Sequence, residues 1–309
     1  MAPLTALALI AFIVWVLLNM KTSRPDGRLV GNLHQYRVIM GYIMPTRNES
    51  VVYFDVYVDA EPLERYVEEA RKLFPCDITH ACIAAAYSVM YQNPTVNRFV
   101  SGHRLYERDG IYVSFSMKRA RLDAKAKLAT VKMRIEPSDT FRMLCERIDQ
   151  TINVERSGRK TYQDKEFNLL TSLPRPILKA GIKGLRLLDY YNLLPASFIE
   201  NDPLYTSMFV ANLGSLGMEA GYHHLYEWGN CASFMMAGKI EEHPVFEDGR
   251  FVPKRRLHMR YSYDERVEDG LTAGMAIKSV QGVLGDPFRC FGCLAENGED
   301  TKPIGTRPD

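Results

Sequence analysis

The run LTALALIAFIVWVLL, Leu4 to Leu18, contains no charged residue. Coiled as a helix, the stretch from Pro3 to Met20 spans roughly 27 Å at about 1.5 Å per residue, just enough for the hydrocarbon core of a bilayer. No basic residue precedes the run, whereas Lys21, Arg24 and Arg28 follow it. That asymmetry places the downstream chain on the cytoplasmic side. A cleaved signal peptide would carry a basic first region and an A-x-A-like cleavage site, and neither is visible. The pattern predicts a single membrane anchor over residues 1–20, with a buried N-terminal helix as the alternative reading.

Residues 21–35 are polar, contain Pro25, Gly27 and Gly31, and read as a linker. VVYFDVYVD (51–59) then alternates at period two, a strand with one wet face. AEPLERYVEEARKLF has helical spacing, and ITHACIAAAYSVMYQNP (78–94) is apolar on all sides, which predicts a core helix stopped at Asn93-Pro94. IYVSFSMKRA and AKAKLATVKMRIEP alternate again. SDTFRMLCERIDQTI reads as an amphipathic helix with a Ser-Asp cap. MFVANLGSLGM, ASFMMAGKIEEHPVF and RLHMRYSYD are three further strands, and DGLTAGMAIKSVQGVL is a closing helix. Strands and helices intermingle without an internal repeat, which predicts a layered α/β or α+β domain around one sheet.

With 309 residues, 46% of them hydrophobic, the chain can bury a substantial core. A formal net charge of +2, with no zinc-finger spacing and no aromatic-glycine RNA signature, argues against nucleic acid as a partner. A cytoplasmic domain keeps its six cysteines reduced. Only Cys290 and Cys293 have C-x-x-C spacing, and without a second pair or a nearby histidine they read as ordinary thiols, so no metal site is assigned. The stretch 295–309 is polar and rich in Pro and Gly and reads as a disordered tail.

Two basic stretches stand out. In KRARLDAKAKLATVKMR (118–134), Lys125, Lys127, Lys132 and Arg134 fit a solvated strand face, or else a contact with an acidic headgroup or nucleotide phosphate. In residues 173–198, Lys179, Lys183 and Arg186 fall at helical spacing opposite Ile177, Leu178, Ile182, Leu185 and Leu188. This is a basic amphipathic helix suited to a membrane surface or to packing on the domain.

Four fragments in order then resemble the catalytic domain of the 2-oxoacid dehydrogenase acyltransferases, which shares the chloramphenicol acetyltransferase fold. They are GYIMPTRNESVVYFDVYVD, ITHACIAAAYSVMYQNPTVNRFVSGHRLYERDGIYVSFSM, SMFVANLGSLGM and YSYDERVEDG. The last two look like the family's T-I-S-N-L-G strand and D-H-R-x-x-D-G site. The resemblance covers about Tyr36 to Pro287 and implies a two-layer α/β domain, a mixed sheet with helices on one side, over 36–294. It also implies a homotrimer, or a larger cage of trimers, with sites at subunit interfaces. No tightly bound cofactor is implied, and acyl-coenzyme A is the co-substrate. In the family a histidine takes the thiol proton and a hydroxyl from the neighbouring subunit steadies the oxyanion.

The chain departs from that pattern at two positions. Glu265 stands where the family has its histidine, and Ala211 stands at the serine that donates to the oxyanion. An ordinary Glu, with a pKa near 4.3, is a poor base for a thiol, whose pKa is near 8.5. Arg266, Asp269 and Gly270 keep the motif frame, and the resemblance gives Asp269 a structural role, pairing with an arginine and holding the turn. The pattern resembles a stand-alone branch with no lipoyl segment ahead of the globule, and residues 165–203 read as an insertion.

GYHHLYEWGN (221–230) then supplies the candidate replacement chemistry. The resemblance places this stretch along the acceptor pocket, facing the motif turn of the adjacent subunit. On a strand His223 and His224 would point to opposite faces, so one at most would face the pocket and Glu265 would orient it, as a carboxylate does in a triad. Tyr226 or Ser215 would donate to the oxyanion. The plainer alternative satisfies the two histidines at a subunit interface and pairs Glu265 with Arg266 or Arg260. His34, His80, His103, His243 and His258 receive no role. The reading is a membrane-anchored acyltransferase-like trimer moving an acyl group from a thioester to an acceptor. Its alternative is a catalytically silent scaffold or binding module, and an authentic dehydrogenase-complex core is disfavoured.

Overall fold

A computed structural model describes residues 2–118, 128–157, 171–294 and 302–306. A six-stranded mixed sheet organises the domain. Its strands are β2 (Val51–Asp59), β5 (Ile111–Lys118), β6 (Leu128–Ile135), β7 (Met208–Asn212), β8 (Ser233–Glu247) and β9 (Arg250–Asp264), in the order β2-β9-β8-β7-β5-β6. Strand β7 runs parallel to both neighbours, and the remaining pairs are antiparallel. A second, three-stranded sheet joins β1 (Gly27–Leu29), β4 (Arg104–Arg108) and β3 (Arg98–Ser101). Gly102 and His103 link β3 to β4, both at positive φ, the two-residue turn that matches strand twist.

Period-two alternation divides the large sheet into two faces. Met208, Val210, Met235 and Ala237 enter the main core, shared with helices α3 (Ala60–Arg71), α4 (Ile78–Gln92), α5 (Phe141–Arg156) and α8 (Gly270–Gly285). Phe209, Phe234 and Met236 face the other way, where Ala220, Leu225 and Cys231 of the irregular stretch 213–232 cover them. The predicted core helix is α4, buried from His80 to Met90. The closing helix is α8, followed by the short α9 (Pro287–Phe291).

Helix α1 (Ala2–Met20) leaves the globule with none of its apolar window buried, so the buried-helix alternative is not what the chain adopts. Its length and composition suit a membrane span or a signal sequence. Helix α2 (Gln35–Ile43) was not foreseen and exposes Tyr36, Ile39, Tyr42 and Ile43. The insertion holds α6 (Arg175–Tyr190), none of whose residues is buried, and α7 (Ala196–Asn201).

Several expectations are corrected. Residues 21–35 are no free linker: β1 pairs with β4, and buried Arg24 bonds Asp26, Ser101, Asn192 and Asp189. The cap of α5 is Thr140, which accepts from the Met143 N–H, while Asp139 turns inward to Arg147. Lys132 does not sit on a solvated face. It donates to the carbonyls of Ile199 (2.7 Å) and Asp202 (3.3 Å), satisfying the end of α7, and burial pushes its ammonium down to about 8. Lys125 and Lys127 lie outside the described residues. Within the predicted tail, residues 302–306 return to the globule, where Ile304 is fully buried and bonds Asp139.

Candidate functional site

Strand β9 ends at Asp264, which is fully buried. Its carboxylate accepts from Ser50 Oγ (2.9 Å), from the Arg266 backbone N–H (3.1 Å) and from two nitrogens of the Arg266 guanidinium. A third guanidinium nitrogen donates to the Met44 carbonyl (2.9 Å). The arginine-carboxylate pair that holds the motif turn is therefore Asp264 with Arg266. Asp269, given an arginine partner by resemblance, pairs with Arg37 and also caps α8 by accepting from the Thr272 N–H (2.8 Å). Those hydrogen bonds from Thr272 lower its carboxyl. Arg37 bonds Glu268 (3.1 Å) and lies 3.9 Å from Asp269. Gly270 opens α8 in free space, so nothing in this chain's own packing requires a glycine there.

The backbone N–H of Glu265 donates to the Ser50 carbonyl (3.0 Å). Its half-buried carboxylate makes no hydrogen bond or ion pair among the described residues. The two arginines offered as its partners are taken: Arg266 by Asp264, and Arg260 by Asp55 (3.0 Å).

Ala211 on β7 is half-buried and opposite Met236, and it offers no side-chain donor where the resemblance expects one. The N-L-G turn behind it is held by contact, since a Cβ on Gly214 would lie 2.1 Å from the Gly238 carbonyl oxygen. Ser215, the other candidate donor, spends its hydroxyl on the Asn212 carbonyl (2.9 Å).

Residues 221–228 form no strand, and this overturns the expectation that the two histidines point to opposite faces. The rings of His223 and His224 stack with centroids 4.8 Å apart, and His223 also stacks on Phe234 at 3.9 Å. Tyr226 packs beside both, at 5.4 and 5.2 Å. His223 Nδ1 lies 2.6 Å from the His224 carbonyl, and His224 Nδ1 lies 3.1 Å from the Leu225 carbonyl. A carbonyl only accepts, so each bond requires the proton on Nδ1 and leaves the lone pair on Nε2. Burial lowers the pKa of His223, favouring that neutral, basic form. Within this chain a backbone carbonyl orients the His223 imidazole. No hydrogen bond or ion pair joins Glu265 to either histidine among the described residues.

The neighbouring residues are anchored elsewhere. Glu227 accepts from the N–H groups of Arg47 and Asn48 and from the Asn48 side chain. Trp228 Nε1 donates to Asp202 (2.6 Å). Burial raises the Tyr226 hydroxyl, which keeps it a neutral donor. Between this segment and the Asp264 turn lies a cavity of about 360 Å³, lined by Arg47, Arg266, Glu227 and Trp228 and, from the insertion, by Arg186 and Tyr190.

One cluster escaped the sequence reading. His258, only 2% exposed, lies between two carboxylates, with Nε2 at 2.5 Å from Asp55 and Nδ1 at 3.0 Å from Glu219. Asp55 and Arg260 are cross-strand partners on β2 and β9, and Arg260 lies over the Tyr222 ring at 3.9 Å. The alternation of both strands put these residues on the same wet face; their pairing is a matter of sheet register. Both ring nitrogens of His258 are occupied, so it has no open lone pair to offer. Cys290 is buried and Cys293 exposed, and no group of metal-binding side chains occurs among the described residues.

Residues 201–291 match the family described as 2-oxoacid dehydrogenases acyltransferase (catalytic domain). No curated protein matches the sequence. Among solved structures, the chain is similar to a probable dihydrolipoamide acetyltransferase from Listeria monocytogenes, with a TM-score of 0.54 and 16% identity over 82% of this chain and 92% of that chain. A dihydrolipoamide acetyltransferase from Azotobacter vinelandii, studied for the roles of a serine, a histidine and an asparagine in its catalytic mechanism, gives a TM-score of 0.54 and 15% identity over 87% and 93%. A chloramphenicol acetyltransferase gives 0.52 and 11% over 84% and 99%. The mixed α/β fold, a sheet with flanking helices, is thus the one these acyltransferase catalytic domains share.

Proposed function

We propose that this chain is a membrane-anchored acyltransferase whose base has moved from the motif turn to His223. It works as a trimer with its globular domain on the cytoplasmic side, and it transfers an acyl group from acyl-coenzyme A. The observation that carries the reading is the 2.6 Å approach of His223 Nδ1 to the His224 carbonyl, which in the neutral imidazole leaves Nε2 basic. In the reaction, Nε2 takes the proton of the acceptor's hydroxyl or thiol as that atom attacks the thioester carbonyl. The tetrahedral intermediate then expels the coenzyme A thiolate, which recovers the proton from the imidazolium. Tyr226, whose ring lies 5.4 Å from that of His223, donates to the developing oxyanion in place of the absent serine hydroxyl. Glu265 of a neighbouring copy stabilises the imidazolium by charge. Helix α1 supplies the membrane attachment, and α6 lies along the membrane surface.

A second reading has its own support. Ala211 carries no donor and the Ser215 hydroxyl is committed to its own turn, which suits a silent binding module that keeps the fold and the cavity. Binding and turnover of acyl-coenzyme A esters, measured side by side on the full chain in lipid, separate the two. Saturable binding with turnover supports the enzyme, whereas binding without thiol release supports the module.

A further inference from the structure

Three unburied apolar surfaces meet at one turn of the small sheet. Helix α1 ends there: Arg104, just after the turn, donates to the carbonyls of Asn19 and Lys21, and Asn192 donates to the Lys21 carbonyl. Helix α2 packs Tyr42 flat on His103 at 4.8 Å, and the Gly41 carbonyl bonds His103 Nδ1 at 2.6 Å. Helix α6 brings Tyr190 edge-on to the same imidazole at 5.7 Å. From this junction α2 exposes Ile39 and Ile43, and α6 exposes Leu187 and Leu188. Both helices that meet at this turn expose apolar side chains, and the eighteen-residue apolar stretch Pro3–Met20 ends close to it.

The cavity described above opens at this junction, because Gly102, His103, Arg186 and Tyr190 are part of its wall. Its charges can be accounted for one by one. Arg266 is matched by Asp264, and Asp189 by Arg24. Glu227 is satisfied by backbone and amide N–H groups. Arg47 is only 8% exposed, yet its guanidinium donates to neutral carbonyls alone, those of Tyr226 (3.1 Å) and Val100 (3.4 Å). Arg186 has no hydrogen bond or ion pair among the described residues. Neither guanidinium therefore has a carboxylate hydrogen-bonded to it, although Asp264, Glu227 and Asp189 attract that of Arg47 through space. A buried arginine with no carboxylate hydrogen-bonded to it is costly, and a bound anion lowers that cost.

We infer that this cavity binds the phosphate of an anionic membrane lipid, with Arg47 and Arg186 as its ligands and the acyl chains laid along α2 and α6. Guanidinium forks match phosphate oxygens in geometry as well as charge, and the volume suits a headgroup. The inference rests on the proposed membrane attachment for the source of the ligand. It does not rest on the chemistry assigned to His223.

The test uses the full chain in non-ionic detergent, titrated calorimetrically with dioctanoyl phosphatidylglycerol, dioctanoyl phosphatidylcholine and inorganic phosphate. One saturable site for phosphatidylglycerol is expected. Phosphatidylcholine should be at least about tenfold weaker because its choline is repelled by the two guanidinium groups, and inorganic phosphate at least about tenfold weaker because it lacks acyl chains. Arg186→Gln should weaken phosphatidylglycerol by about tenfold, while Lys179→Gln on the same helix should leave it unchanged. Arg186 is exposed, so its replacement spares the fold. Equal binding of inorganic phosphate would overturn the lipid as source. Equal loss in the Lys179 variant, or none in the Arg186 variant, would overturn the site. Alkaline washing of membranes bearing the full chain tests attachment separately, because a chain that washes off yet binds the short-chain lipid contradicts the anchor and not the cavity.

Discussion

Asp264 and Arg266, two residues apart at the end of β9, form a buried two-pronged ion pair, with Nε 2.9 Å from Oδ1 and Nη2 2.7 Å from Oδ2. Ser50 and the Arg266 backbone N–H complete the carboxylate, and the Met44 carbonyl completes the guanidinium. Removing one partner strands the other charge in the interior. Asp264→Asn should lower unfolding stability by about 3–5 kcal/mol, and Glu265→Gln next to it by less than about 0.5 kcal/mol. Urea unfolding of the two variants checks the contrast. Equal losses would mean that the turn is not organised around this pair.

The pH profile of thioester cleavage should show the lowered pKa of His223. An ordinary imidazole titrates near 6.5, and burial pushes this one down. The basic form therefore persists to lower pH, and kcat/KM should stay level above about 6.5 and fall only on the acid side of it. The limb should vanish in His223→Gln and persist in His224→Gln. A limb centred above 6.5 would point to another base.

Asp77 caps the core helix α4, accepting from the Thr79 (2.7 Å) and His80 (3.3 Å) N–H groups. Burial alone would raise its carboxyl, but hydrogen bonding and charge from His80 overcome that and pull it down to about 2. Its stabilisation is thus fully present above the unfolded value near 3.9 and is lost as pH falls through about 2. Asp77→Ala should cost about 1 kcal/mol at neutral pH, with the difference from the parent chain closing as the pH approaches 2. Thermal melts across that range read it directly.

Phe246 and Phe251 face each other at the tip of the β8-β9 hairpin, rings 5.2 Å apart and 64% and 72% exposed. The proposed trimer predicts that this exposed apolar tip is buried against a neighbouring copy. Phe246→Ser with Phe251→Ser should leave unfolding stability of the protomer within about 0.5 kcal/mol and shift the light-scattering mass from trimer towards monomer. An unchanged trimer would move the interface elsewhere.

The elements legible in the sequence were those whose burial is set by local period. The all-apolar α4 and the alternating β2, β5 and β9 are examples, because one face or all faces must leave water whatever the partners. Positions whose partners are remote in sequence were misread. Arg24 looked like linker because its ligands Ser101 and Asn192 lie 77 and 168 residues away. Lys132 looked solvated because the helix end it satisfies belongs to the insertion. The histidine pair was located by motif order, but its geometry followed from an irregular backbone with no local signal, so stacking replaced the expected opposite faces. The resemblance points to Asp269, which pairs with Arg37, but not to the buried Asp264–Arg266 pair inside the same motif.

Free-thiol release from acyl-coenzyme A esters by the full chain in lipid, compared with His223→Gln, tests the central claim most directly. The account predicts turnover in the parent chain and a loss of about 10²- to 10⁴-fold in the variant, with the assembled mass and melting temperature unchanged. Turnover that survives in the variant would contradict a base at His223, and a parent chain that folds, assembles and binds the esters without releasing thiol would contradict the enzyme.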